Sequence, residues 1–260
     1  MANRARSFYN KGVHNFYDDQ INSTFKTGVW ADCPLVAIAC DPTVGYVFFE
    51  DFMNWKGAAI ETTNMAGWTV TQGDSSGAVS ISDTAQGGVL LIDSADTDTG
   101  DGVNLQYTEG TLPFIPVAGQ DIWFECRLAV DEFDNCEFFA GLSAVDTTII
   151  TGSDMTSANH IGFECLTDDG VLLFGAEKAG TEATPVASNT LAEDTYVRLG
   201  FHVNGVTDVT HYVNGVKIAT SILTANIPIV GLTPSFVCQS GGAEDPIVHL
   251  DWVKCVQVRA

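Results

Sequence analysis

Alternating apolar and polar residues over 196–220 predict a β-meander in the C-terminal half of the chain. The segment reads YVRLGFHVNGVTDVTHYVNGVKIAT and contains Asn-Gly twice, at 204–205 and 214–215. Asn-Gly favours a tight hairpin turn because both residues tolerate the positive φ that a type I′ turn requires. We therefore expect three consecutive antiparallel strands. The side chains expected to be buried include Val197, Leu199, Phe201, Tyr212, Trp252 and Val256.

The same β texture extends from Val44 to the end of the chain. Short apolar runs, among them DIWFECRLAV, CEFFAGLSA and IVHLDWVKCVQVR, are separated by clusters of Gly, Asp, Ser and Pro. This spacing is typical of a sandwich, and because only two short helices are predicted, at 58–66 and 191–195, a parallel α/β fold is excluded. We expect an all-β fold in which about a dozen strands form a two-sheet antiparallel sandwich.

Residues 1–43 differ from the rest and predict an N-terminal extension of a sandwich that spans 44–260. The extension mixes aromatic and polar residues without a regular period, and its first part, 1–17, contains basic but no acidic residues. Aromatic side chains in such a segment need a surface to cover them, and basic ones favour an acidic neighbour. We expect an extended anchoring arm; a disordered terminus is the alternative. The expected interface residues are Arg4, Arg6, Phe8, Tyr9, Lys11, Phe16 and Tyr17.

The composition limits the partners that the chain can have. Its 260 residues include 33 acidic and 11 basic ones, which gives a net charge of −22. A surface this acidic repels nucleic acid and anionic membranes, so we expect neither as a partner. The sequence shows no secretory signal and no apolar run long enough for a membrane helix.

The seven cysteines are interpreted as free thiols. No pair has C-x-x-C spacing, and most lie inside apolar strand-like runs. Buried cysteines of this kind act as small hydrophobic residues, and they are typical of proteins that fold in a reducing cytoplasm. A disulfide between Cys126 and Cys136, across a predicted hairpin, is the alternative.

The order of the strand-like runs resembles that of concanavalin A-like, laminin-G-like jelly-roll domains. The resemblance covers about residues 46–258 and is carried by FFEDF, by the hairpin at Tyr212-Val-Asn-Gly and by the closing Asp251-Trp252-Val253. It implies a jelly-roll sandwich. It leaves the function open, because members include lectins, glycoside hydrolases and domains of bacteriophage structural proteins.

The acidic segment 132–137 matches the motif E-x-D-x-x-E of laminarinase-like glycosidases in this superfamily. The resemblance would make Glu132 the nucleophile and Glu137 the acid/base residue, and retaining hydrolysis needs two carboxyl groups about 5–5.5 Å apart. In this sequence, however, the segment lies between two strong strand patterns, and no tryptophan-rich motif flanks it. An acidic hairpin turn is therefore the favoured interpretation.

The loop 93–102 packs four aspartates beside glycines and is a candidate calcium site. Carboxylate oxygens at close spacing are the ligands that Ca²⁺ prefers, although the loop lacks the twelfth-position acid of an EF-hand. The expected ligands are Asp96, Asp98 and Asp101. A solvated turn is the alternative.

Two histidines, His202 and His211, fall on neighbouring strands of the predicted meander. They could lie close together, but no third nitrogen or sulfur ligand stands at a recognisable spacing. A structural role for both histidines, in the core or in the sheet, is therefore favoured over a zinc site.

The sequence as a whole favours a non-enzymatic virion structural protein of a bacteriophage. The sequence combines a basic, aromatic arm with an acidic sandwich, and no group of residues clearly matches a catalytic site. This combination suits a capsid decoration or cement protein, or a tail appendage. We expect assembly in the host cytoplasm with other virion proteins, including capsid and neighbouring copies in a homo-oligomer. No cofactor other than calcium is expected. The alternatives are a lectin-like module that binds a glycan for host attachment, and a glycoside hydrolase using Glu132 and Glu137.

Overall fold

The computed structural model is a two-sheet antiparallel sandwich, which confirms the predicted all-β fold class. Each of the two large sheets has eight strands, more than expected, because several edge strands are too short to be visible as sequence patterns. The structure describes residues 6–10, 13–17, 28–55, 67–73, 77–95, 98–109, 114–133, 135–151, 154–166 and 170–259.

We call the first sheet the front sheet. Its strands are β4 (Trp68–Gly73), β7 (Gly102–Tyr107), β9 (Cys136–Ser143), β12 (Asn159–Cys165), β13 (Val171–Lys178), β14 (Thr181–Glu182), β15 (Val186–Thr190) and β19 (Thr233–Ser240). Their spatial order is β14-β13-β12-β9-β19-β7-β4, and β15 also pairs with β13.

We call the second sheet the back sheet. Its strands are β3 (Gly45–Glu50), β5 (Ala78–Ile81), β6 (Leu90–Asp93), β8 (Ile122–Val130), β16 (Val197–Asn204), β17 (Asp208–Val213), β18 (Val216–Leu223) and β20 (Ile247–Val258). Their order is β18-β17-β16-β8-β20-β6-β5, and β3 also pairs with β20.

The remaining described elements are short. They are the hairpin strands β1 (Arg6–Asn10) and β2 (Val13–Tyr17), the hairpin strands β10 (Ile150–Thr151) and β11 (Asp154–Met155), the helix α1 (Leu35–Cys40) and a 3₁₀ turn, Thr224–Asn226. No helix in the described ranges is long and apolar enough to cross a membrane.

The main core lies between the two sheets and is built by alternation along each strand. Phe124 and Phe201 stack with their ring centroids 4.8 Å apart, and Phe236 reaches them from the front sheet. Because successive side chains of a strand point to opposite faces, the residues next to these in sequence face outward. The outward-facing side of the front sheet carries the candidate site.

The meander is confirmed, but its two turns differ. Strands β17 and β18 are joined by the expected two-residue turn, in which both Asn214 and Gly215 have positive φ, of 51° and 76°. Strands β16 and β17 are joined by a longer loop, because Asn204 pairs with Asp208 and only Gly205 in this loop has positive φ. The two Asn-Gly pairs therefore predicted the positions of both turns but the turn type of only the second.

Four of the six residues named as core are buried, and two are not. Val197, Leu199, Phe201 and Val256 are buried, whereas Tyr212 and Trp252 are half-buried. A register shift between Leu250 and Trp252 changes the phase of β20, so that Val253, not Trp252, faces the main core. Tyr212 lies on the outward-facing side of the back sheet, where it packs with a second cluster.

Two local predictions are wrong. Residues 191–195 form turns rather than a helix, and the other predicted helix, 58–66, lies outside the described residues. The acidic segment is not a hairpin turn, since it joins β8 of the back sheet to β9 of the front sheet. Cys126 and Cys136 therefore lie in different sheets, and all seven cysteines are free, five of them buried.

The N-terminal extension is described in part. Its strands β1 and β2 pair as an antiparallel hairpin. Arg4 and Lys11 lie outside the described residues, as do the side chains of Arg6, Phe8, Tyr9, Phe16 and Tyr17. Farther along, Val29, Trp30 and Ile38 pack on the outward-facing side of the back sheet. Assembly through the arm stays a prediction.

Candidate functional site

The outward-facing side of the front sheet carries two polar features with an apolar patch between them. The patch forms where Ile149, Ile150 and Met155, from the β10–β11 hairpin and its flank, pack against Phe139 of β9 and Val237 of β19. A groove lies on the side of β19, β7 and β4. A cluster of carboxylates lies on the side of β12, β13 and β14.

The groove has a volume of about 450 Å³, and its lining among the described residues includes no charged side chain. Its floor comes from β7 and β19, and its walls come from the ends of the neighbouring loops. The lining residues are Gln72, Gly73, Thr99, Gly100, Gly102, Val103, Asn104, Thr147, Thr148, Ile149, Ile150, Thr151, Val237 and Gln239. In a chain of net charge −22, this is a neutral, hydrogen-bonding surface.

Amide side chains of β7 hold the loop that forms one wall of the groove. Asn104 donates its Nδ2 hydrogen to the carbonyl of Asp146 at 2.7 Å, and the Oε1 atom of Gln106 accepts from the Asp146 amide at 2.9 Å. The Nε2 group of Gln106 donates to the carbonyl of Ala144 at 3.1 Å. The loop that follows β9 is thereby fixed across the outward-facing side of the sheet.

One groove atom has no partner in the described structure. Asn104 Oδ1 is buried and accepts no hydrogen bond, although the same side chain uses its Nδ2 group. Only 7% of Asn104 is exposed. A buried carbonyl oxygen normally accepts a hydrogen bond, so Asn104, which lines the groove, has an unsatisfied acceptor.

The carboxylate cluster is built on β12, whose outward-facing residues are His160, Gly162 and Glu164. Ligand atoms of His160, Glu164 and Glu182 lie within 4.8 Å of one another. Burial, together with repulsion from Glu182 and Glu177, raises the pKa of Glu164 to about 8. Burial lowers the pKa of His160 to about 4, so its imidazole is neutral at neutral pH.

A row of glycines gives these side chains their space. Gly141, Gly162 and Gly175 are paired across β9, β12 and β13. A Cβ atom on Gly175 would lie 3.4 and 3.6 Å from the carboxylate oxygens of Glu164, and 3.6 Å from Oε1 of Glu182. Both carboxylates therefore lie over bare backbone.

The predicted catalytic pair does not lie on one strand. Glu137 is buried on the outward-facing side of β9, where its Oε2 accepts from Nε2 of Gln239 at 3.1 Å. Glu132 is half-buried in the crossover between the sheets, and Asp134 lies outside the described residues. Phe133, which follows Glu132 in the sequence, is buried in the main core.

The predicted calcium loop is described only in part. Asp96 lies outside the described residues, Asp98 is exposed, and Asp101 is buried. The Asp101 amide donates to the Asp98 carbonyl at 3.2 Å, and the Ser240 amide donates to the Asp101 carbonyl at 2.8 Å. These bonds explain the turn. Calcium binding stays a prediction.

The meander histidines face opposite sides of the back sheet, so they cannot form one metal site. His211 is in the main core, stacked on Phe174 at 4.5 Å, and burial lowers its pKa to about 4. His202 faces outward and contacts Asp121 at 3.1 Å. The preference for sheet and core histidines is confirmed.

Sequence reasoning missed the cluster on β12. The segment HIGFEC is one of the apolar strand-like runs, yet it places a polar residue, a glycine and a second polar residue at alternate positions. That alternation is the sequence signal that predicts one row of outward-facing side chains on β12. Glu182 could not have been assigned to it, because the pairing of β13 with the short strand β14 brings it there.

The fold was compared with known proteins. No family model matches the chain, and no curated protein matches it. A β-glucanase from Bacillus licheniformis matches with a TM-score of 0.55 at 13% identity, over 83% of this chain and 99% of that one. The fold is a concanavalin A-like jelly roll.

Two other solved structures agree. A β-1,3-glucanase from Mycobacterium marinum has a TM-score of 0.52 at 15% identity, over 80% of this chain and 97% of its own. A protein of unknown function from Shewanella oneidensis has a TM-score of 0.56 at 13% identity, over 84% and 90%. At these identities the likeness shows the fold alone.

The prediction that the chain is not an enzyme is contradicted. It rested on the lack of a persuasive catalytic set in the sequence, whereas the similar folds include β-glucanases, which are enzymes. The structure also brings together glutamates that the sequence did not link. The comparisons give no support to a virion role.

Proposed function

We propose that the chain binds a neutral carbohydrate in the groove on the outward-facing side of the front sheet. The observation that carries the proposal is the buried, unpartnered Oδ1 atom of Asn104, in a groove whose described lining has no charged side chain. Sugar hydroxyls donate and accept hydrogen bonds, so they match a lining of amides, threonine hydroxyls and backbone. An anionic ligand would find no cationic partner among these residues.

The size of the groove is consistent with this ligand. Its volume of about 450 Å³ falls in the range of roughly 300–1,000 Å³ that is typical of small-ligand sites. Val237, Ile149 and Ile150 add apolar surface for the carbon faces of a sugar ring. The glucanases of similar fold make a β-glucan oligosaccharide the first probe.

The test is calorimetry of the full chain with a mixed-linkage β-1,3-1,4-glucan oligosaccharide, alongside a panel of other neutral oligosaccharides. We expect Asn104→Ala to weaken binding at least about ten-fold, since a hydrogen bond in a buried site is worth about 1.4 kcal/mol or more. Asn189→Ala, on the exposed face of β15, is the matched control. Absence of binding across the panel, or equal affinity in both variants, would overturn the proposal.

Hydrolysis of the bound glycan is the second candidate, and Glu137 favours it. Its carboxylate accepts a hydrogen bond from Gln239, which lines the groove, so only Gln239 would separate this acid/base group from the proposed glycan. Reducing ends released from the glucan measure the reaction. Glu137→Gln should keep binding and lose release, and Glu132→Gln tests the predicted nucleophile. An equal rate of release in Glu137→Gln would exclude this role for Glu137.

A further inference from the structure

Three potential metal ligands converge over the glycine row of the front sheet. His160, Glu164 and Glu182 each place one ligand atom within 4.8 Å of the other two. A metal ion with bonds of about 2.0–2.2 Å to nitrogen and oxygen holds its ligands roughly 3–4.5 Å apart. The spacing of the three atoms is therefore close to that of a coordination sphere.

The hydrogen bonding of His160 leaves one ring nitrogen free. Nδ1 lies 2.9 Å from the carbonyl oxygen of Ser157. A carbonyl only accepts, so Nδ1 carries the proton and Nε2 presents a lone pair. A metal-binding histidine is commonly oriented by such a hydrogen bond from its other nitrogen.

Two buried acceptors in the cluster have no described partner. They are Nε2 of His160, in a residue that is 0% exposed, and Oε2 of Glu164, in a residue that is 1% exposed. Buried acceptors are costly without a donor or a cation. When Glu164 is ionised, its carboxylate and the neutral imidazole of His160 cannot satisfy each other, because both groups only accept.

The charges around the cluster are negative. Glu177 has its Oε2 atom 3.9 Å from Nδ1 of His160, and Glu182 lies beside Glu164. Among the described ion pairs, none joins a lysine or arginine to these carboxylates. A metal cation would compensate these charges.

We propose that His160, Glu164 and Glu182 bind one divalent transition-metal ion, with Zn²⁺ as the probe. One imidazole and two carboxylates favour a transition metal over Ca²⁺, which takes six to eight oxygen ligands. Glu182 is exposed, so it gives the ion a path from solvent and leaves a coordination position open. The proposal does not depend on glycan binding in the groove.

The test is a Zn²⁺ titration of the chelator-treated full chain, in excess Mg²⁺ so that the acidic surface is already occupied. We expect one ion per chain and a rise in melting temperature on binding. Glu182→Gln, in an exposed residue that should leave the fold intact, should weaken binding at least ten-fold. Glu164→Gln should abolish it, and Glu193→Gln, in an exposed turn, is the control that should not change it.

Three outcomes would overturn the site. The first is no Zn²⁺-dependent shift of the melting temperature. The second is binding of several ions with no single tight site. The third is equal affinity in Glu182→Gln, Glu164→Gln and the Glu193→Gln control, with circular dichroism showing that all of them fold.

Discussion

Glu125 and Glu164 are both buried glutamates on outward-facing sides of the sandwich. They differ in how neighbouring groups compensate their negative charge. Glu125 lies on the back sheet, where its Oε2 accepts from Nε1 of Trp30 at 2.6 Å. Arg198 approaches its other oxygen at 3.9 Å. Burial raises the pKa of Glu125, while the Trp30 hydrogen bond and the charges of Arg198 and Lys254 lower it.

Glu164 lies on the front sheet and has other glutamates as its neighbours. No hydrogen bond to its Oε2 atom is found in the described part of the chain. The contrast teaches that this fold can bury a carboxylate beside a hydrogen-bond donor and a positive charge, as at Glu125. A carboxylate buried without compensation, as at Glu164, therefore points to a ligand from outside the chain.

The largest expected effect is at Trp30, which covers Glu125. Trp30→Ala removes a buried aromatic side chain and the hydrogen bond to the carboxylate, so we expect a loss of about 3 kcal/mol in the free energy of unfolding. Chemical denaturation measures it. Trp30→Phe keeps most of the packing and should lose only about 1–2 kcal/mol. If Trp30→Ala has the wild-type free energy of unfolding, Trp30 does not stabilise the region around the buried Glu125.

The next prediction compares the two glutamates directly, with amide isosteres in metal-free buffer. Glu125→Gln should lower the free energy of unfolding by about 1 kcal/mol, because it removes a charge-assisted hydrogen bond. Glu164→Gln should raise it by about 1 kcal/mol, because folding raises the pKa of Glu164 and the neutral amide avoids the cost of that shift. Denaturation curves of both variants with the chelator present measure the two signs. The comparison fails if the signs are equal.

The last stability prediction concerns His211, which also has an unpartnered Nε2 atom in the described structure. Its pKa is about 4 in the folded chain, against an ordinary value of 6.5. The unfolded chain therefore binds more protons between these values, so His211 lowers stability as pH falls from about 6.5 to 4.

His211→Phe should flatten this part of the curve of melting temperature against pH, since its neighbours Phe174 and Phe163 are aromatic. His249→Gln, at a half-buried histidine elsewhere on the back sheet, is the control. An unchanged slope in His211→Phe would show that another group causes the acid sensitivity.

Local rules predicted much of the fold. Asn214-Gly215 fixed a two-residue turn because the chemistry of that turn is contained in two residues. The phase of β20 was not predictable in the same way, because the register shift after Leu250 arises from pairing with a distant strand. The predicted alternation along β20 is therefore correct up to Leu250 and reversed after it, where Val253 and Cys255 face the main core.

The candidate site depended still more on distant contacts. His160 and Glu164 were readable as one row of β12, but Glu182 joins them only through the pairing of β13 with β14. Likewise, Asn104 becomes a groove residue only when the Asp146 loop is held across the sheet. Neither contact leaves a pattern within a short stretch of sequence.

Hydrogen–deuterium exchange with and without the β-glucan oligosaccharide tests most directly which side of the sandwich is functional. The back sheet offers a competing groove of about 510 Å³, with Trp30, Trp252 and Phe49 in its lining as stacking surfaces. We predict slower exchange in β7, β19 and residues 147–151, and no change at 28–30 or 214–216. Protection confined to 28–30 and 214–216, or no protection anywhere, would contradict the account.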